Sequence, residues 1–191
     1  MKKTILFIVC ILSLVACQQD DYSPLTVTMY NSSNDAIGTA ILTENSEGVS
    51  VEVSVEGLEP GLHGIHIHEY AKCDSPDFQS AGNHYNPEDN EHGLMHPEGA
   101  HLGDMPNIEA EDGGLVEAEL LIGGATLTEG QKSLLQNDGT SLIIHAKQDD
   151  GVTQPAGDAG ERVACGLITV EEAKNDEAPT DPTENEKEEK E

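Results

Sequence analysis

GVSVEVSVEGLEPGLHGIHIHE, residues 48 to 69, decides the fold. Val49, Val51, Val53 and Val55 alternate with Ser50, Glu52, Ser54 and Glu56. A strict period of two marks a strand buried on one face and wet on the other. Gly57 to Gly61, around Pro60, then turn the chain. His66 and His68 follow two apart in an apolar segment. In a strand they leave on one face while Ile65 and Ile67 leave on the other, into a core. His63 shares parity with those isoleucines, which predicts a packed, hydrogen-bonded imidazole and not a ligand.

The same period recurs on both sides of this stretch. Leu25, Val27 and Met29 alternate with Thr26, Thr28 and Tyr30, and Ile37, Thr39 and Ile41 continue the pattern. Downstream, strands are expected at 107–111, 115–121, 141–147 and 163–170, with the turn Asp112-Gly113-Gly114 between the first two. The segment Thr126–Asn137 reads as turns with room for a short helix. Eight strands interrupted by two long loops predict an all-β domain, an eight-stranded antiparallel Greek-key barrel or sandwich.

The first long loop concentrates the chemistry. Seven of the eight histidines lie between Gly61 and Asp104, and the eighth is His145 in SLIIHAK. His84, His92, His101 and Asp104 fall in a segment rich in Gly, Asn and Pro with neither helix nor strand period. Scattered surface histidines are common, but seven in one stretch with a carboxylate three residues after the last are a metal site. Three imidazoles and one carboxylate make the closed tetrahedral shell that a structural zinc ion takes, and neutral imidazole suits copper as well. His96, in the same loop, is left without a role by this spacing.

The 191 residues carry a formal charge of -28, with 3% aromatics and no Trp. That charge excludes nucleic acid as a partner, because phosphate binding needs a basic face. The N-terminus, MKKTILFIVCILSLVACQQ, places two lysines before an apolar run too short for a membrane span. It reads as an export signal over residues 1–16. Leu14-Val15-Ala16-Cys17 resembles a bacterial lipobox, which implies a lipid on Cys17, a tether over 17–24, and anchoring at the outer (periplasmic or cell-surface) face of a bacterial membrane. With Cys10 in the signal and Cys17 lipidated, Cys73 and Cys165 remain as a pair in a disulfide-permitting compartment. The last segment, 171–191, has ten acids and three lysines, and is expected to be a disordered acidic tail outside the 25–170 domain.

GLHGIHIHE (61–69), AGNHYNP (81–87), HGLMHPEGAHLGDMPN (92–107), IIHAKQDD (143–150) and GDAGERVACGLI (157–168) resemble, in order, the motifs of the copper/zinc superoxide dismutases. The resemblance spans roughly residues 25–170. It implies an enzyme that converts superoxide to oxygen and hydrogen peroxide, with a metal-binding loop and an electrostatic loop on the barrel. Carried over residue by residue, it implies copper on His66, His68, His84 and His145. It implies zinc on His84, His92, His101 and Asp104, with His84 bridging. Asp149 would orient a copper histidine and a zinc histidine, Arg162 would attract the anion, and Cys73–Cys165 would be the family disulfide. Monomers and homodimers both occur in such a family. The loop from Asp149 to Gly160 has no Lys or Arg, and with the strongly negative chain this predicts a rate less helped by low salt than in a family member with a more basic rim. The alternative is a non-catalytic copper- or zinc-binding lipoprotein of the same fold, serving storage or delivery.

Overall fold

A computed structural model describes residues 24–175. The export signal, Cys17 and most of the tether lie outside the described residues, as does the tail beyond residue 175. Among the described residues the chain forms nine strands: β1 Leu25–Asn31, β2 Ala36–Asn45, β3 Gly48–Val55, β4 Gly61–His63, β5 Ile65–His68, β6 Ile108–Ala110, β7 Val116–Gly123, β8 Thr140–His145 and β9 Arg162–Ile168. Seven pair antiparallel in the order β5-β8-β9-β1-β2-β3-β7, and β4 pairs with β6 as a separate ribbon. The seven-stranded sheet curls into a half-barrel.

Val49, Val51, Val53 and Val55 are buried as their alternation requires, opposite Ile122, Leu120, Ala118 and Val116 of β7. Strand β2 departs from its expected parity. Its inward residues are Gly38, Ala40 and Leu42, which sit opposite Met29, Val27 and Leu25, while Ile41 is 36% exposed. The register of the buried β1 residues decides the matter, and a glycine and an alanine fill the inner face beside larger partners. The main apolar core draws on every strand but β4, and a smaller cluster of Phe78, Ala81, Ile143 and Cys165 lies apart from it.

The expected single histidine strand is two strands. Gly64 divides them, so that β4 pairs with β6 while β5 pairs with β8, and this split gives nine strands where eight are expected. Gly64 leaves little room for a side chain: a Cβ would meet Ala159 Cβ at 3.0 Å and the His66 ring at 3.2 Å, so the neighbours would have to give way. On β5, Ile65 and Ile67 enter the core while His66 and His68 face the opposite side, across from Ile143 and Ser141 of β8. His63 is 3% exposed, with its ring nitrogens 2.6 and 2.7 Å from the carbonyls of His145 and Glu59. It is the packed imidazole its parity predicts.

Thr126–Asn137 contains no helix; turns and a parallel bridge between Thr126 and Ser133 occupy it. The start of the predicted tail is also ordered differently. Val170–Asn175 is a six-residue helix, begun where the Thr169 hydroxyl accepts the Glu172 N–H at 3.2 Å, with Val170 packed on the core. This is an ordinary hydroxyl cap with acids in the first turn, enough to extend order five residues into a segment read as tail.

Candidate metal centre

Strand β5 supplies His66 and His68, and the adjacent end of β8 supplies His145 after a bulge at Ile144/His145. The loop between β5 and β6 returns to this wall through an antiparallel bridge between His68 and His84. These four histidines are buried, and one ring nitrogen from each lies within 4.8 Å of the others. His66 Nδ1, His68 Nε2, His84 Nε2 and His145 Nε2 have no hydrogen-bond partner. Four buried, unpartnered nitrogens on one small space would be costly without an occupant. An all-imidazole set of this kind suits copper.

The second group is His84, His92, His101 and Asp104, again with ligand atoms within 4.8 Å of one another. Asp104 Oδ1 lies 2.8 Å from His84 Nδ1 and 3.3 Å from His101 Nδ1, and its Oδ2 lies 3.1 Å from His92 Nδ1. The two Nδ1 atoms of His84 and His101 are 3.5 Å apart. A tetrahedron with bonds of 2.0–2.1 Å has edges of about 3.3 Å, so these separations fit a zinc ion. His84 belongs to both groups, one nitrogen in each. His96 belongs to neither.

Asp149 is the link between the groups. Its Oδ2 is 2.7 Å from His66 Nε2 and its Oδ1 is 3.1 Å from His92 Nε2. Three further residues hold Asp149 and His92, and the sequence alone assigns a role to none of them. The Asn107 amide receives the Asp149 N–H at 2.7 Å and donates to its carbonyl at 2.8 Å. The Gln154 amide does the same for His92, at 2.8 and 2.9 Å. Gly157, at φ 64, lies so close that a Cβ would overlap both the Asp149 carboxylate and His92. Side-chain bonds to a distant backbone carry no local sequence signal, although the Asn of MPN and the Gly of AGD lie inside the quoted motifs.

Arg162 reaches the same pocket from the start of β9, with His68, His84, His101 and His145. Its Nη1 and Nη2 each donate at 2.7 Å, to the carbonyls of Phe78 and Gly82. The disulfide Cys73–Cys165 ties that loop to β9, with Cα atoms 5.7 Å apart. Burial lowers the Arg162 pKa and Asp77 works against the shift. A guanidinium stays charged at neutral pH regardless.

The protonation states of the metal-free site follow from burial and partners. Burial lowers His68, His84 and His145, the last two to about 4 and about 3. Burial also opposes charge on His92, but the Asp104 and Asp149 carboxylates overcome it and raise His92 to about 9. Burial raises both carboxyls, and their histidine contacts win, holding them well below the usual carboxylate range. From an unfolded value of 6.5, the raised His92 contributes stability that is present below 6.5 and lost as pH rises through 9. The three lowered histidines take up protons on unfolding below 6.5, so stability also falls as pH drops from there. The melting temperature of the metal-free protein, measured in chelator across this range, should peak near pH 6.5. A melting temperature still climbing at pH 9 would contradict the His92 assignment. Zinc entering the second group must also expel the His92 proton, so its binding should release protons at neutral pH.

A curled antiparallel sheet whose outer wall and loop carry two four-donor groups with a shared histidine defines a β-protein built for two metal ions. Residues 36–168 match the family model for copper/zinc superoxide dismutase. The chain is 45% identical over 140 residues to superoxide dismutase [Cu-Zn] 1 of Aquifex aeolicus, covering 72% of this chain and 83% of that protein. It is 42% identical over 134 residues to superoxide dismutase [Cu-Zn] of Caulobacter vibrioides, covering 69% and 77%. A crystal structure of a double mutant of a superoxide dismutase-like protein from Bacillus subtilis aligns with a TM-score of 0.73 at 38% identity, covering 75% of this chain and 96% of that one. The chain belongs to the copper/zinc superoxide dismutase family, which binds copper and zinc.

Proposed function

We propose that this chain is an active superoxide dismutase. Copper would be held by His66, His68, His84 and His145, and zinc by His84, His92, His101 and Asp104. The observation that carries the reading is the convergence of four buried, unpartnered imidazole nitrogens on a pocket that also contains Arg162. Copper, when bound, supplies one-electron redox chemistry, whereas zinc does not change oxidation state.

The chain's own residues do the rest. Arg162, fixed by two carbonyls, presents a permanent positive charge to an anion in the pocket. Asp149 holds the rings of His66 and His92, one from each group, in a fixed mutual orientation. His84 Nε2, unpartnered and belonging to the first group, is the atom at which a proton can be held for the peroxide product. The ordered disulfide fits an exported protein. The reading includes an export signal over 1–16 and a lipid on Cys17 that anchors the 25–170 domain outside the cytoplasmic membrane.

A second reading has one observation in its favour: a relative 38% identical over 145 residues carries the name superoxide dismutase-like protein. That reading is a copper- or zinc-binding lipoprotein without turnover. Metal content and superoxide loss, measured on one reconstituted sample, separate the two. The enzyme reading expects one copper and one zinc per chain with rapid dismutation. His66→Ala should lose copper and activity while retaining zinc. Full loading without dismutation would leave only the second reading.

A further inference from the structure

Three full charges line the pocket beside the first histidine group: the Arg162 guanidinium and the carboxylates of Glu69 and Asp89. Acids therefore outnumber bases at this mouth. Glu69 is half-buried and pinned, its Oε1 accepting the Asn83 backbone N–H at 3.1 Å and the Asn83 amide at 3.4 Å. Asp89 is exposed at a turn, in the left-handed region at φ 56. The cation near that turn is already committed, because Lys132 lies 2.8 Å from Glu88. Asp77 also acts electrostatically on Arg162.

We propose that Glu69 and Asp89 restrain the entry of small anions at the mouth of this pocket, and that raising the salt concentration relaxes their restraint. A unit charge about 8 Å from the anion's path in dilute buffer changes its local concentration by roughly two- to threefold. The Debye length falls from about 30 Å at 0.01 M to about 8 Å at 0.15 M, so salt relaxes that restraint. The sense is opposite to that of a mouth with a basic rim. The identity of the natural anion rests on the superoxide reading, but the charge of the mouth acts on any small anion.

The test uses the full chain loaded with copper and zinc. The variants are Glu69→Gln, Asp89→Asn and the double substitution, which keep size and hydrogen-bonding capacity while removing charge. Asparagine is also at ease in the left-handed conformation at residue 89. A control pair, Glu52→Gln with Glu119→Gln, removes the same charge from the outer face of β3 and β7, where these two lie opposite each other. Azide affinity, read from the copper absorption band, and the rate constant for superoxide loss are measured from about 10 to about 200 mM salt.

Relative to the mouth variants, wild type should show an azide affinity and a turnover rate that are held down at low salt and catch up as salt rises. The double mouth variant should bind azide about fivefold more tightly than wild type at low salt, a gain that shrinks as salt rises. The control pair should give less than half that gain. A gain in the mouth pair that does not shrink with salt, or a mouth pair no better than the control pair, would overturn the proposal. Each single variant carries the test if the other fails to load metal. Azide behaving as expected without superoxide loss would overturn the dismutase reading and leave this one standing.

Discussion

His84→Ala should remove both metals at once. It takes one donor from each four-donor group, leaving two sets of three where every other ligand substitution leaves one set whole. It also frees Asp104 Oδ1 from its 2.8 Å partner, while the backbone bridge that ties the loop to His68 stays in place. Loss of a mere outer partner of a ligand typically costs roughly 10- to 100-fold in metal affinity. Loss of a shared ligand should exceed that at both positions, and dismutation should fall by well over about 100-fold. The contrast with His66→Ala is the diagnostic: that variant should retain zinc, whereas His84→Ala should retain neither metal at wild-type affinity. Metal stoichiometry by mass spectrometry reads the difference. Full zinc affinity in the His84 variant would refute the shared histidine.

The second large effect is on stability. Cys73 and Cys165 close a loop with a sequence separation of 92. The chain-entropy model assigns such a closure about 4.5 kcal/mol, and replacing both with Ser should lower the unfolding free energy by an amount of that order. Packing adds to it, since Cys165 is fully buried with Phe78, Ala81 and Ile143. The functional cost should be separate from the loss of fold. Phe78 and Gly82, whose carbonyls hold Arg162, lie on the loop that the disulfide secures. Under conditions where the variant is still folded, anion affinity should therefore fall as well. Denaturant titration of the metal-free protein measures the first effect. A shift below about 1 kcal/mol would mean that packing alone holds the loop.

Much of this architecture is legible in the chain, and the illegible parts share a cause. The four valines of β3 show their strand because one face is buried along its whole length. His66 and His68 show their common face because their parity is local. The break at Gly64 is invisible, since β4 and β5 look like one apolar run and differ only in which strand each pairs with. Partner choice is a property of the assembled sheet, and periodicity does not encode it. Ile41 misleads for the same reason, the pairing with β1 having set its face. The metal ligands are visible because histidine clustering is a composition signal. Asn107 and Gln154 are not, because they act through backbone groups 42 and 62 residues away.

The opposed faces of β5 and β8 bear on how such a protein can change over generations. Ile65, Ile67, Leu142 and Ile144 fill the core, while His66 and His68 stand on the other side of the same wall. Fold and reactivity are thus written on alternate letters of one short segment. A lineage can exchange a histidine here without disturbing a core residue. The barrel can therefore outlive its chemistry, and retention of the fold is no guarantee of retained turnover in a descendant.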